Sequence, residues 1–198
     1  GAGSACGKNL SAESSGTLGK QKKTNYALRE DISKKEFVKE VTDGLLPPPQ
    51  YFPLNVKMNK QGYKDIAEVL KSGTHSLNPE EFEKIANDKK ALVLDVRSKE
   101  EFAAGHIPNS IFIGIDGGFA PWVGTLIGDT LQPILLIIPQ EREKETITRM
   151  ARVGFDNTLG YLKGGFTAWK QAGKDYDSVN SITVEELEMK TETIPIFD

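Results

Sequence analysis

Short apolar segments alternate with amphipathic segments between residues 76 and 174. Apolar runs that predict strands occupy residues 91–94, 110–113, 133–138 and 158–162. Helical patterns come between and after them: one begins at the Asn78-Pro79-Glu80-Glu81 cap, and others cover residues 141–153 and 166–171. Because strands that are buried on both faces form continuous apolar runs, this order predicts a mainly parallel sheet between two helical layers, a three-layer α/β fold.

The segment before residue 76 has weaker periodicity. Residues 1–30 are rich in Gly, Ser and Lys, which predicts irregular structure with one short helical turn. Ser33 and Glu36 have the spacing of a capping box that begins a helix ending near Gly44. The proline-rich residues 47–53 predict an extended strap, with a ligand for proline-binding modules as the alternative, and residues 63–70 predict a helix.

The tail repeats part of this pattern. Residues 181–187 have the layout of residues 76–82, and residues 194–198 then match residues 91–95. Asp198 corresponds to Asp95 in this alignment, which predicts the start of a second copy of the same unit. An accidental helix-then-strand tail is the alternative.

Composition narrows the functional classes. With 198 residues, 38% hydrophobic and 27% charged, the chain is expected to form one main globular domain. A net charge of -3 provides no basic surface for nucleic acid or anionic membranes. No segment resembles a membrane span or signal peptide, so we expect a cytoplasmic protein. Since the chain begins at Gly1 without methionine, we expect a piece of a longer protein.

Two motifs flank the third apolar run. The first, Asp95 to Ser110, reads DVRSKEEFAAGHIPNS, and the second, Gly160 to Gly173, reads GYLKGGFTAWKQAG. In order and spacing these motifs resemble those of a rhodanese domain, over residues 76–174. The resemblance implies the three-layer rhodanese fold and a catalytic cysteine directly after the central strand.

The chain has no cysteine at that place. The resemblance puts the cysteine position at Ile138, with Pro139 as the near alternative, and neither side chain can attack sulfur. Pro139 also lacks an N–H for holding an anion, and two glutamates bring negative charge to the helix start. We therefore expect no catalytic residue here, and neither sulfurtransferase nor phosphatase chemistry. The degenerate loop consists of Ile138, Pro139, Gln140, Glu141, Arg142 and Glu143.

The remaining motif residues have structural interpretations. Acidic and basic side chains at strand ends tie loops together by hydrogen bonds. Gly164 and Gly165 allow a tight turn, and Trp169 makes a packing contact. Arg97 and Arg142 are the alternative contacts for an anion such as a persulfide, although we expect Arg142 to pair with its flanking glutamates. Trp122 is either an interface anchor or a buried plug. The structural motif comprises Asp95, Arg97, Glu101, His106, Gly164, Gly165 and Trp169.

Metal binding is not expected within this chain. Its only histidines are His75 and His106, its only cysteine is Cys6, and these three are far apart in sequence. They do not provide the closely spaced ligands of a zinc or two-metal centre. One cysteine also excludes an internal disulfide.

The N-terminal segment suggests a parent protein. Residues 1–8 and 17–26, and the proline-rich segment 46–60, resemble the region after the last metal ligand of metallo-β-lactamase-fold hydrolases of the persulfide dioxygenase and glyoxalase II type. The resemblance implies a parent hydrolase or dioxygenase using iron or zinc outside this chain. The expected partners are this hydrolase domain, a second rhodanese unit and, as a homodimer, a second copy of the chain.

These observations predict three regions. Residues 1–73 form the C-terminal extension of the metallo-β-lactamase-fold domain, residues 74–176 the rhodanese-like domain, and residues 177–198 a linker and the start of a second repeat. The expected function is a non-catalytic module for scaffolding or interaction in persulfide or thioester metabolism. The alternative is a sulfurtransferase or a persulfide- or anion-binding domain that uses the retained pocket without a loop cysteine.

Overall fold

The structure is a computed structural model that describes residues 15–25, 27–44 and 51–189. The chain divides into two compact units, one within residues 1–47 and one within residues 48–198. Cys6, the prolines at 47–49 and the repeat match at residues 194–198 lie outside the described residues.

The described residues form ten helices and five strands. The helices are α1 Leu18–Thr24, α2 Lys34–Thr42, α3 Phe52–Gln61, α4 Ile66–Gly73, α5 Pro79–Lys89, α6 Lys99–Ala104, α7 Phe119–Leu126, α8 Glu143–Ala151, α9 Gly165–Gln171 and α10 Val184–Glu188. The strands are β1 Ser76–Leu77, β2 Leu92–Asp95, β3 Ile111–Phe112, β4 Ile134–Ile137 and β5 Thr158–Leu162.

The first unit contains α1 and α2. The capping box expected at the start of α2 is present: the Ser33 hydroxyl accepts from the Glu36 N–H, and the Glu36 carboxylate accepts from the Ser33 N–H. Neither helix buries a side chain among the described residues. Local capping therefore accounts for where α2 begins.

The second unit is built on a parallel sheet. Its strands lie in the order β1-β5-β4-β2-β3, and every pair of neighbours is parallel. Side chains alternate along the central strands, so that Leu136 joins one hydrophobic cluster while Leu135 and Ile137 join the other. Residues of α4, α7 and α8 contribute to the first cluster, and residues of α5 and α9 to the second. The α/β class with helices on both faces of a parallel sheet is confirmed.

The proline-rich strap was predicted wrongly where the structure describes it. Phe52 and Pro53 begin helix α3, with Tyr51 as the N-cap residue. Proline is tolerated in the first helical turn because the N–H groups there have no partner within the helix. The following helix, predicted over 63–70, begins at Ile66 because the Asp65 side chain caps it by accepting from the Ala67 N–H at 2.7 Å.

Besides α3, two more elements were missed, β1 and α7. With two residues, β1 is too short for an apolar run, and it exists because it pairs with β5. Helix α7 contains a proline and a glycine, which weaken the sequence signal for a helix. Val69 of α4, which precedes the domain boundary predicted at residue 74, is 2% exposed and belongs to the core of the second unit.

The start of the predicted second repeat has a structural counterpart. Helix α5 begins with a capping box between Asn78 and Glu81, and α10 with one between Thr183 and Glu186. These positions correspond in the repeat alignment.

Candidate functional site

The edge of the sheet where the strands end is the candidate site. Parallel α/β sheets bind ligands at the carboxyl ends of their strands. Here β2 ends at Asp95, and β4 ends at Ile137 directly before the degenerate loop. The two strand ends are linked, because the Val96 N–H donates to the Ile137 carbonyl at 2.9 Å.

Ile138 occupies the position for which the resemblance implies a cysteine. Its side chain is 7% exposed and belongs to the core cluster that also contains Val96, Ile113 and Ile115. The first loop residue therefore contributes to packing and presents no reactive group to solvent.

The loop backbone also differs from an anion-binding cradle. Pro139 has no N–H, and its carbonyl accepts from the Arg142 N–H at 3.2 Å in a tight turn. Glu141 has a φ of +65°, in the left-handed region that side chains other than glycine rarely adopt. Helix α8 then begins at Glu143, with Arg142 as an N-cap residue that makes no side-chain capping bond. Gln140 is exposed.

Carboxylates pair with Arg142 in the loop and with Arg149 on α8. Arg142 donates to Glu145 at 2.9 Å and to Asp116 at 2.8 Å. The hydrogen bonds to Glu145 and Asp116 raise the pKa of Arg142, and those from Arg142 lower the pKa of Glu145. Arg149 donates to the carbonyls of Ile115 and Gly117. These contacts leave little positive charge available to an anion at the loop.

Arg142 was expected to pair with its neighbours Glu141 and Glu143, but it pairs with Glu145 and Asp116 instead. Glu145 lies three residues along the helix from Arg142, and side chains with this spacing share one face. Asp116 approaches from the segment before α7. Sequence spacing could have indicated Glu145, but Asp116 is 26 residues away and has no local signal.

Asp95 and Arg97 form a buried ion pair. The Asp95 side chain is 0% exposed and that of Arg97 8%, and Arg97 Nη2 lies 2.6 Å from Asp95 Oδ2. Arg97 Nε also donates to Asp95 Oδ1 at 2.9 Å, and Nη2 donates to the Gly105 carbonyl at 2.8 Å. Its guanidinium lies 4.7 Å from the centroid of the Phe166 ring. Arg97 therefore links β2, the end of α6 and α9.

Glu101 and His106 make local contacts. Glu101 accepts hydrogen bonds from the Ser98 hydroxyl and N–H, which lower its pKa and cap α6. His106 Nδ1 lies 2.9 Å from the Phe102 carbonyl, and the two rings stack at 4.0 Å. The backbone of His106 pairs with that of Asp177 in an antiparallel bridge. These contacts join α6 to the segment after α9.

The glycine and tryptophan motif lies after β5. Gly164 and Gly165 have φ values of +75° and +59°, so glycine suits this turn into α9. Trp169 is 4% exposed, and its Nε1 donates to the Asp175 carbonyl at 2.8 Å. Its ring contacts Phe82 edge-on at 6.1 Å. This motif fastens α9 to one face of the sheet.

A groove of about 600 Å³ lies beside the loop, bounded by α7 and the segments after β2 and β3. Trp122 on its rim is 57% exposed. Of the basic side chains in the groove, Arg97 pairs with Asp95, and Lys99 lies 3.8 Å from Glu100. The groove is thus partly apolar, and both of its cations have acidic neighbours.

The described residues contain no cluster of three or more His, Cys, Asp or Glu side chains that could hold a metal ion. No helix in the described ranges has the length and hydrophobicity needed to cross a membrane.

Comparison with protein families finds one match within the chain. The sequence model of the rhodanese-like domain family matches residues 78–172, from the cap of α5 to the end of α9.

Two uncharacterized proteins of Buchnera aphidicola are similar in sequence. One, from strain Sg of subspecies Schizaphis graminum, is 32% identical over 85 residues, which are 43% of this chain and 57% of that protein. The other, BU052 from strain APS of subspecies Acyrthosiphon pisum, is 31% identical over 106 residues, or 53% of this chain and 73% of that protein. The chain thus spans little more than half the length of the first relative.

A longer solved structure is also similar. A metallo-β-lactamase from Staphylococcus aureus subsp. aureus COL is 30% identical, with a TM-score of 0.57. The alignment covers 82% of this chain and 43% of that protein. It is therefore similar to this chain well beyond the residues that the family model matches.

Proposed function

The chain belongs to the rhodanese-like domain family through residues 78–172, and on this premise we propose that it is a non-catalytic module of a larger cytoplasmic metallo-β-lactamase-fold hydrolase. Its role is to hold neighbouring domains in place. The parent enzyme acts in persulfide or thioester metabolism with iron or zinc held by residues of its hydrolase domain.

The burial of Ile138 carries the non-catalytic assignment. A sulfurtransferase needs an exposed thiolate that can attack sulfur and then hold a persulfide. At this position the chain has an aliphatic side chain that is 7% exposed, and the sequence contains no cysteine after Cys6. The loop therefore lacks the reacting atom.

The electrostatics of the loop support the same proposal. Oxyanions are held by N–H groups and cations that are free to donate to them. Arg142 already donates to Asp116 and Glu145, and Arg97 to Asp95. An incoming anion would have to displace a carboxylate from either arginine.

The similarity to the S. aureus metallo-β-lactamase supports the larger context. That similarity covers 82% of this chain, whereas the rhodanese-like match covers only residues 78–172. Part of the similarity must therefore fall outside the rhodanese-like match. The partners in this proposal are the hydrolase domain, a second rhodanese unit that begins near α10, and a second copy of the chain.

A sulfurtransferase assay tests the non-catalytic half of the proposal. Thiosulfate and cyanide are supplied to the purified chain and to its Cys6→Ser variant, which has no thiol, and thiocyanate is measured. We expect no turnover from either protein. Turnover that survives in Cys6→Ser would overturn the assignment, and turnover lost with Cys6 would show that a distant thiol serves the loop and would overturn it as well.

The scaffolding half needs the full-length gene product. Deletion of residues 74–176 should lower the thermal stability of the hydrolase domain or change its oligomeric state. A deletion variant with the melting temperature, oligomeric state and hydrolase rate of the intact protein would refute a scaffolding role.

A further inference from the structure

A second hollow, of about 430 Å³, lies among α3, α4 and α8. Asp156 lines it and comes two residues before the start of β5, whereas Ile138 directly follows the end of β4. Because β4 and β5 are parallel, Asp156 lies at the amino ends of the strands and Ile138 at their carboxyl ends, on opposite sides of the sheet. The hollow is therefore separate from the degenerate loop and its groove.

The inner wall of the hollow is apolar. Val69 is 2% exposed, and Met58 and Ala151 are partly buried. Helix α3 is held close to the turn after α8, since a Cβ on Gly154 would lie 3.0 Å from both Leu54 Cδ2 and Met58 Sδ. This close approach fixes α3 as one wall of the hollow.

Polar side chains surround this apolar wall. Lys64 and Arg152 provide positive charge, Asp156 negative charge, and Asn55 and Asn59 amide groups. None of these five side chains has a hydrogen bond or ion pair with another residue in the described ranges. Burial raises the pKa of the Asp156 carboxyl, and the Lys64 ammonium opposes this effect. Asn59, Lys64 and Arg152 are exposed to solvent, whereas Asn55 and Asp156 are partly buried, so a ligand that enters the hollow could displace water and bond to these groups.

We infer that this hollow binds a free α-amino acid with a large apolar side chain. The ligand carboxylate accepts hydrogen bonds from Lys64 and Arg152, the ligand ammonium donates to Asp156, and the apolar side chain packs on Met58 and Val69. A simple anion would leave Asp156 without a partner, and a simple cation would be repelled by Lys64 and Arg152. A zwitterion satisfies both signs of charge, and the volume is typical of small-molecule sites.

Calorimetric titration of the purified chain tests this inference with three ligands. L-phenylalanine carries both charges, N-acetyl-L-phenylalanine lacks the ammonium group, and L-phenylalaninamide lacks the carboxylate. We expect L-phenylalanine to bind about tenfold or more tightly than either analogue, because each analogue loses one charge-assisted contact. Absence of binding by L-phenylalanine at millimolar concentrations would overturn the inference.

Variants locate the binding and identify each contact. Asp156→Asn should weaken L-phenylalanine and remove the penalty for N-acetylation, whereas Lys64→Met should remove the penalty for amidation. Lys57→Met is the matched control, since Lys57 is exposed on α3 and does not line the hollow. Circular dichroism confirms that each variant is folded. Equal affinity for all three ligands, or affinities unchanged in Lys64→Met and Asp156→Asn, would contradict the assignment.

Discussion

Replacing Asp95 by asparagine should strongly destabilise the sheet. The change keeps the size of the side chain but removes the negative charge opposite the Arg97 guanidinium. Three short contacts join the two side chains, with Arg97 Nε at 2.9 and 3.1 Å from the two carboxylate oxygens and Nη2 at 2.6 Å from Oδ2. In the variant the guanidinium, whose side chain is 8% exposed, faces a neutral amide with one acceptor oxygen in place of the carboxylate, besides the Gly105 carbonyl and the Phe166 ring.

The size of the loss follows from this burial. Removing one member of a buried ion pair typically costs about 3–5 kcal/mol, because the other charge stays desolvated and unpaired. A small domain has a total stability of about 5–15 kcal/mol, so Asp95→Asn should lose a large share of it. Replacing both members, as Asp95→Leu with Arg97→Met, should recover much of the loss because no unpaired charge remains.

Urea unfolding followed by tryptophan fluorescence measures the free energy of unfolding of each variant. The matched control is Lys84→Met, which breaks the exposed Lys84–Asp88 pair on α5 and should change stability by about 0.5 kcal/mol or less. If Asp95→Asn also stays within about 1 kcal/mol of the unmodified chain, the pair does not hold the strand end as described.

Three further predictions concern single positions. Gly160→Ala should cost about 3 kcal/mol or more in urea unfolding, because φ is +145° and a Cβ would lie 2.5 Å from the His75 carbonyl oxygen; an alanine variant as stable as the original would contradict this clash. Trp169→Phe should cost about 1–3 kcal/mol by leaving the Asp175 carbonyl without its donor, and an unchanged melting temperature would argue against that bond. The pKa of Glu101 is lowered in the folded state, so its contribution to stability is present above the pKa of the unfolded chain, near 4.5, and is lost as pH falls through the folded value. The Glu101→Gln variant should therefore lose less free energy of unfolding than the original chain between neutral and acid pH. Equal losses in the two proteins would refute this.

The sequence predicted the strands well where burial on both faces left a continuous apolar run. Thr158–Leu162 forms β5 with the predicted bounds, and β4 lies within the predicted 133–138. The capping box at Asn78 fixed the start of α5 in the same way. Such local signals do not depend on distant parts of the chain.

Elements that depend on tertiary contacts were harder to predict. The strand β1 needs β5 as its partner, and α7 is a helix although its sequence contains a proline and a glycine. At the candidate site, the sequence indicated the absence of a cysteine but not the ionic partner of Arg142, because Asp116 reaches it from a distant segment. The proline-rich segment was misread because Pro53 is compatible with either a strap or a first helical turn.

Ile138 connects the chemistry of the loop to the folding of the domain. An isoleucine-to-cysteine change at this buried position would remove core contacts worth about 1–3 kcal/mol. The new thiol would be largely shielded from water, and burial in apolar surroundings raises a thiol pKa and suppresses the reactive thiolate. A first step toward sulfur chemistry would therefore weaken the fold and give no activity in return.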